Sequence, residues 1–240
     1  MPLQLPISER PSPNHGLRKS HPVDILLLHY TGMRSAEAAL SWLCDPDSSV
    51  SSHYFVFEDG RVVRLVDEAR RAHHAGVSCW AGETDINSCS VGIEIANPGH
   101  EFGYRPFPDA QIDAVIALSL DILGRHAIPP ERVLAHSDVA PSRKQDPGEL
   151  FPWQRLNAAG VGHYAPPAPV VEAKSVPLGA TELAHFKDRL RQYGYCFESD
   201  GELRWAVTAF QRHFRPERVD GVADRSTNAT LDRLLGALGR

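Results

Sequence analysis

Short apolar runs separated by amphipathic segments make up the first part of the chain. Residues 23–28 read VDILLL, a density of aliphatic side chains typical of a strand buried on both faces. Residues 53–57 alternate with period two, and residues 61–66 follow the turn pair Asp59-Gly60, so these two segments predict a β-hairpin. Residues 91–96 also alternate strictly, and residues 132–135 form one more short apolar run, so each predicts a further strand.

Two of the segments between these strands have helical spacing. Ser35 is an N-cap residue ahead of a helix that we expect to run to about Leu43. Between Pro108 and about His126, apolar side chains recur at helical spacing, at Ile112, Val115, Ile116, Leu120 and Leu123. This order of strands and helices predicts an α/β fold, with a central mixed β-sheet flanked by helices.

The last part of the chain has a different pattern. Residues 164–178 contain four prolines, which favour an extended, semi-rigid linker. Residues 179–240 then show three apolar stripes at helical spacing, which predict a small three-helix all-α domain. We therefore expect an extended N-terminal arm over residues 1–20, a main domain over residues 21–163, the linker, and the three-helix domain.

The charge balance indicates no particular partner. With 30 acidic and 25 basic residues the net charge is −5, so no broad basic surface for nucleic acid is expected. No segment approaches the ~20 apolar residues of a membrane span, and the N-terminus has no apolar run that could form a signal-peptide core. We therefore expect a cytoplasmic protein; the periplasm or cell envelope, reached by another route, is the alternative. The oligomeric state is left open.

The four cysteines are Cys44, Cys79, Cys89 and Cys196, and they form no C-x-x-C pair. A disulfide between Cys79 and Cys89 is one interpretation. We favour the other, in which all four are scattered free thiols in a reducing compartment.

Two of the twelve histidines stand directly after predicted strands. His29 follows residues 23–28 and His136 follows residues 132–135, the positions at which α/β proteins build their sites. If the two strands are neighbours, the two imidazoles converge. The segment after His136 contains Asp146, and its prolines at positions 141 and 147 argue against a regular helix or strand. Two imidazoles and one carboxylate match a catalytic zinc site that leaves its fourth position to water.

Glu94 and Lys144 are candidates for catalysis beside that site. Glu94 shares a strand face with Gly92 and Ala96, whose small size leaves open space in front of its carboxylate. Lys144 lies two residues before Asp146, and in an extended segment both side chains point to the same side, where a cation can stabilise an oxyanion. The alternatives are an ordinary solvent-facing glutamate and a solvated loop lysine.

Five sequence blocks in a fixed order resemble a known family. They are LHYT at 28–31, VSSHY at 50–54, HAGVS with WAG between 74 and 82, VGIEI at 91–95, and HSDVAP with RKQDPG between 136 and 148. Together they are similar to the zinc-dependent N-acetylmuramoyl-L-alanine amidases, which are related to phage-lysozyme-type amidases and peptidoglycan-recognition proteins. The resemblance covers roughly residues 22–157. Residues 186–235 resemble the small three-helix peptidoglycan-binding module.

The resemblance implies a bacterial hydrolase that cleaves the amide bond between N-acetylmuramic acid, or its anhydro form, and L-alanine in peptidoglycan or muropeptides, for cell-wall recycling or turnover. It implies Zn²⁺ held by His29, His136 and Asp146, with Glu94 and Lys144 in catalysis. We expect substrate contacts from Tyr30, His53, His74, Trp80, Asn97 and Arg143. A non-catalytic peptidoglycan-recognition protein is the alternative, and a generic docking bundle is the alternative for the C-terminal domain.

The chain departs from the family pattern at one position. Residues 71–76 read RAHHAG where such enzymes usually have RAWHAG. His73 thus replaces a bulky aromatic side chain, so we expect a different groove shape there. An accessory metal contact by His73 is a less favoured alternative.

Overall fold

The computed structural model describes residues 6–19 and 22–240. The strands are β1 (Ile7–Glu9), β2 (His15–Leu17), β3 (Ile25–Tyr30), β4 (Tyr54–Val56), β5 (Val62–Arg64), β6 (Arg70–Ala72), β7 (Ser90–Ile95) and β8 (Val133–Ala135). The α-helices are α1 (Ala36–Leu43), α2 (Ile86–Cys89), α3 (Gly99–Phe102), α4 (Asp109–Arg125), α5 (His136–Val139), α6 (Trp153–Ala158), α7 (Ala180–Tyr193), α8 (Asp200–Phe214) and α9 (Arg225–Ala237).

A six-stranded mixed sheet in the order β1-β5-β4-β7-β3-β8 is the centre of the fold. The predicted hairpin is confirmed, because β4 and β5 pair antiparallel. The pairs β4–β7, β7–β3 and β3–β8 are parallel, so the carboxyl ends of these strands lie along one edge. The predicted α/β class with a mixed sheet and flanking helices is therefore confirmed.

The two faces of the sheet are covered by different parts of the chain. Leu26 and Leu28 of β3 belong to the core that α4 covers through Ile112, Val115 and Leu118. Ile25 and Leu27, which alternate with them, belong to a core shared with the C-terminal helices through Phe186, Phe210 and Leu231. At β3 the second face is thus covered by the C-terminal domain itself, because the period of two leaves an apolar row on each side of the strand.

The described residues of the expected N-terminal arm are bound to the main domain. β1 extends the main sheet by pairing in parallel with β5, and β2 forms a two-stranded antiparallel sheet with β6. Buried polar side chains fix the segment between them, since Ser12 Oγ donates a hydrogen bond to the Leu43 carbonyl at 2.6 Å. Residues 1–5 and 20 of the expected arm lie outside the described residues.

The C-terminal residues form the three expected helices, α7, α8 and α9. The proline-rich linker has no helix or strand, but it packs against α9. The Ala168 N–H donates a hydrogen bond to Thr230 Oγ1, and the Ala168 carbonyl accepts one from Ser226 Oγ. The division into two domains joined by a linker stays a prediction, and the described residues of the two parts are also in direct contact. The apolar stripes of the three helices are shared between their own core and the sheet.

The expectation of four free thiols is also wrong, because Cys79 and Cys196 form a disulfide. The bond joins the loop after β6 to the residues that follow α7, across 117 positions of sequence. The alternative Cys79–Cys89 pairing does not form, and Cys44 and Cys89 are free. No helix in the described ranges is long and apolar enough to cross a membrane.

Candidate active site

Strand register brings the two predicted histidine ligands together. His29 lies opposite Glu94 in the parallel β3–β7 pair, and Leu28 lies opposite Ala135 in the β3–β8 pair. His136 follows Ala135 directly as the first residue of α5, so it stands beside His29 at the carboxyl edge of the sheet. The segment after His136 was expected to contain no helix, but its first turn is helical before the loop that carries Asp146 begins.

Three ligand atoms converge at this edge. The His29 Nδ1 and His136 Nδ1 atoms are 2.9 Å apart, and Asp146 Oδ2 lies 2.9 Å from the His136 nitrogen and 3.2 Å from the His29 nitrogen. All three side chains are buried. Two imidazole nitrogens and a carboxylate oxygen around one point are the donor set of a mononuclear metal site, and these residues can hold a metal ion.

The charge state of the site suits a cation. Burial lowers the pKa of His29 to about 4, so at neutral pH its ring is uncharged and keeps a lone pair for a metal. Burial opposes ionisation of Asp146, but the imidazoles of His136 and His29 outweigh it and hold the pKa of this carboxyl well below its usual range. The carboxylate is therefore negative and the imidazole of His29 neutral, as ligands must be.

A second layer of hydrogen bonds orients both imidazoles. His29 Nε2 lies 3.0 Å from His74 Nδ1, and His136 Nε2 lies 3.1 Å from the Ala75 carbonyl. When Nδ1 binds a metal, Nε2–H is the donor, so His74 must accept through Nδ1 and keep its own proton on Nε2, 3.3 Å from Ser90 Oγ. Residues 74 and 75 are thus placed to fix the tautomers of the two histidine ligands.

Glu94 is half-buried and lines the same cavity as His136 and Asp146. Its Oε2 atom is shut off from solvent and has no hydrogen-bond partner within residues 6–19 and 22–240. Burial, assisted by the negative charge of Asp146 and opposed by Lys144, raises the pKa of Glu94 to about 8. A carboxyl group in this environment can exchange a proton near neutral pH.

Lys144 is half-buried and lines the same cavity. Its backbone N–H donates to the Ala140 carbonyl, which fixes the turn, whereas no residue of the described chain holds its ammonium group by a hydrogen bond or ion pair. The ammonium is therefore available to a negative charge in the cavity.

The cavity has a volume of about 480 Å³ and is lined by two of the three ligand residues, His136 and Asp146. Three of the six expected substrate contacts line it, namely Tyr30, His74 and Arg143. Burial raises the pKa of Tyr30 to about 12, so its hydroxyl stays protonated and donates to His100 Nδ1 at 2.9 Å. His73, which replaces the usual aromatic residue, also lines the cavity, but it is not among the three residues that can hold the metal.

The other three expected contacts, His53, Trp80 and Asn97, are buried and do not line the cavity. His53 Nδ1 accepts from Gly92 N at 2.9 Å, and Asn97 Nδ2 donates to the Arg105 carbonyl at 2.8 Å. Trp80 packs edge-on against Tyr195 of the C-terminal domain, with ring centroids 4.9 Å apart. All three side chains therefore have partners within the fold.

Sequence reasoning missed Trp42, which lines the cavity from α1 and is 49% exposed. A tryptophan on the polar side of an amphipathic helix is the signal that could have indicated it. It also missed Asn87, whose Oδ1 accepts from the backbone N–H groups of His74 and Ala75. No sequence pattern would have indicated Asn87, because its role exists only in the folded chain.

Comparison with known proteins identifies the family. Residues 19–149 match the family model described as N-acetylmuramoyl-L-alanine amidase, and residues 180–231 match that of a peptidoglycan binding domain. The chain is 39% identical over 236 residues to the N-acetylmuramoyl-L-alanine amidase AmiD of Escherichia coli (strain K12), covering 91% of this chain and 84% of the relative.

Two solved structures match along nearly the whole chain. One is AmiD from E. coli in complex with the substrate anhydro-N-acetylmuramic acid-L-Ala-D-gamma-Glu-L-Lys, with a TM-score of 0.79, 37% identity, and coverage of 92% of this chain and 91% of that one. The other is AmpDh3 from Pseudomonas aeruginosa in complex with anhydromuramic pentapeptide, with a TM-score of 0.75, 31% identity, and coverage of 95% and 96%. The chain belongs to the N-acetylmuramoyl-L-alanine amidase family and carries a C-terminal peptidoglycan-binding domain.

Proposed function

We propose that this protein hydrolyses the amide bond between the lactyl group of N-acetylmuramic acid, or its anhydro form, and L-alanine, in peptidoglycan or its muropeptide fragments. The observation that carries the proposal is the unpartnered Glu94 carboxylate in a cavity lined by His136 and Asp146, which form one ligand set with the buried His29. A site built only for recognition has no need of an isolated carboxyl with a raised pKa.

We assign Zn²⁺ as the metal and His29, His136 and Asp146 as its ligands. Three nitrogen and oxygen donors with an open cavity in front match a catalytic zinc site, whereas a structural zinc site is closed by four ligands. Zinc held there supplies Lewis acidity, which activates water and polarises a carbonyl oxygen.

Glu94 is the general base and then the general acid. It accepts a proton from the attacking water, and it delivers that proton to the nitrogen of L-alanine as the C–N bond breaks. A pKa raised by burial lets one carboxyl both accept and release a proton near neutral pH. His74 holds His29 in the ligating tautomer throughout.

Lys144 stabilises the oxyanion that forms from the lactyl carbonyl. Its ammonium group borders the cavity with no protein anion bound to it in the described residues, so its charge is directed to the substrate. The half-buried setting strengthens that interaction relative to bulk water.

Small muropeptides and intact wall are both candidate substrates. The AmiD and AmpDh3 complexes hold anhydromuramyl peptides, which favours a fragment of this kind. The C-terminal domain favours action close to the polymer.

The compartment that fits this function is an oxidising one, such as the periplasm or cell envelope. The expectation of a cytoplasmic protein rested on the lack of a visible signal-peptide core, whereas the Cys79–Cys196 disulfide supports the alternative. Labelling of free thiols in protein taken directly from cells, before any exposure to air, tests this point: modification of Cys79 and Cys196 would contradict it.

Removal of the metal separates the enzyme from a recognition protein. We expect the purified protein to release L-alanyl peptide from an anhydromuramyl tripeptide, to lose this activity on treatment with a chelator, and to regain it with added Zn²⁺. Binding of the muropeptide without cleavage, unaffected by the chelator, would support the non-catalytic alternative. Parallel assays on whole sacculi decide between the two substrate forms.

A further inference from the structure

The C-terminal domain contacts the segment that carries His136 and Asp146 at a fully buried carboxylate, Asp138. This residue belongs to α5, the single helical turn that begins with His136. Asp138 is 0% exposed and accepts three hydrogen bonds. One comes from its own helix start, Ala135 N, at 2.8 Å. The other two come from the C-terminal domain, from Tyr195 Oη at 2.6 Å and His213 Nδ1 at 2.7 Å.

The two donors from the C-terminal domain are themselves rigidly held. The His213 ring is stacked between the rings of Trp153 and Phe214, with both centroid separations at 3.7 Å. Tyr195 packs edge-on against Trp80 and forms an isolated β-bridge with it. Burial raises the pKa of Tyr195 well above its usual value, so its hydroxyl remains a donor. Because both donor side chains are held by their neighbours, loss of either hydrogen bond directly affects the position of the Asp138 carboxylate.

Further contacts lie along the segment between His136 and Asp146. Arg212, next to His213 on α8, donates to Gln145 Oε1 at 3.0 Å, and Gln145 directly precedes Asp146. The disulfide fixes Cys79, whose N–H donates to the Val139 carbonyl at the end of α5. The C-terminal domain thus contacts the segment from His136 to Asp146 at α5 and again next to Asp146.

From these contacts we infer that the C-terminal domain is a positioning element of the metal centre, and that Tyr195 and His213 fix the orientation of His136 through Asp138. This inference rests on the proposed metal ligands. It gives the domain a role besides binding to peptidoglycan. A bundle tethered only to target the enzyme to the wall would have no reason to direct two buried donors at the helix that carries a ligand.

The test measures zinc affinity, because a merely structural contact would not change it in folded protein. Tyr195→Phe removes one donor and keeps the ring, and His213→Phe removes the other and keeps the stack. The matched control is Tyr193→Phe, since Tyr193 lies in the same buried aromatic cluster and its hydroxyl makes no hydrogen bond within the described chain. Zinc dissociation constants are measured by competition with a chromogenic chelator, with thermal unfolding of the metal-free proteins recorded in parallel.

We expect Tyr195→Phe and His213→Phe each to raise the zinc dissociation constant about 10-fold, which is the lower end of the range for loss of a residue that supports a metal ligand. We expect Tyr193→Phe to leave the dissociation constant unchanged. If both variants fold, even with a lowered melting temperature, and bind zinc within about twofold of the wild type, the inference is overturned. An equal weakening in Tyr193→Phe would also overturn it. His136→Ala keeps the two proposals apart: if it binds zinc as the wild type does, the ligand assignment itself fails, whatever Tyr195→Phe shows.

Discussion

Gly92 is the residue on which the second layer of the site depends most directly. It lies on β7, with the His74 ring in the space that a side chain would fill. A Cβ added at Gly92 would stand 2.6 Å from His74 Nδ1 and 2.7 Å from two ring carbons, closer than real Cβ contacts allow. The backbone of β7 tolerates alanine, so the ring is the part that must move.

The displacement can be estimated from these contacts. To reach ordinary van der Waals separation the ring of His74 must retreat by roughly 0.8 Å. The atom closest to the added Cβ, His74 Nδ1, is also the atom that contacts His29 Nε2 at 3.0 Å, so its displacement disrupts this hydrogen bond. Loss of an outer-layer partner weakens metal binding by about 10–100-fold, which corresponds to roughly 1.4–2.8 kcal/mol. We therefore predict this loss of zinc affinity for Gly92→Ala, with an overpacking cost of about 1–3 kcal/mol in the free energy of unfolding.

Zinc competition and chemical denaturation measure the two effects separately. The control is Gly124→Ala near the end of α4, where an added Cβ meets nothing within 4 Å. There we expect unchanged zinc affinity and a stability gain of up to about 1 kcal/mol, because alanine is favoured over glycine in a helix. A folded Gly92→Ala protein with wild-type zinc affinity would refute the role assigned to His74.

Three further predictions follow from other parts of the molecule. Lys144→Gln lowers kcat by about 100-fold while zinc content stays at the wild-type level, because the developing oxyanion loses its cation and the three metal ligands are unchanged; equal losses in zinc content and rate would contradict this. Cys196→Ser lowers the free energy of unfolding by roughly 2–4 kcal/mol and Cys44→Ser does not, since only the former removes the disulfide, which joins residues 117 positions apart. Chemical denaturation without reductant measures the stability of both variants. Burial opposes ionisation of Glu68, but its hydrogen bonds from three donors lower its pKa to about 2. The stability it contributes, on the order of 3 kcal/mol, is therefore present above about pH 4.5 and lost as pH falls towards 2, and Glu68→Gln should flatten this part of the stability curve.

The sequence predicted most of the amidase domain because its signals are local. The strand before His29 and the strand before His136 are visible in the sequence as apolar runs. Their parallel pairing places the two histidines next to each other. The cap at Ser35 is confirmed, with its side chain accepting from Ala38 N.

What the sequence could not predict depends on contacts between distant segments. Cys79 has its partner 117 positions away, and spacing alone carries no information about such a pair. His53 and Trp80 were expected at the substrate from their place in matching blocks, but a block does not say which side of a loop faces the cavity. The apolar stripes of the last three helices predicted a core correctly, whereas the sharing of that core with β3 depends on the tertiary packing.

We propose above that a zinc ion on His29, His136 and Asp146 works together with Glu94 to cleave the amide. The most direct test is Glu94→Gln, which keeps the size of the side chain and removes its capacity to accept a proton. Zinc is counted per chain by elemental analysis, and single-turnover cleavage of an anhydromuramyl tripeptide is followed on the same sample. We expect one zinc ion per chain and a single-turnover cleavage rate reduced by about 100-fold or more. Wild-type cleavage by the zinc-loaded variant would contradict it.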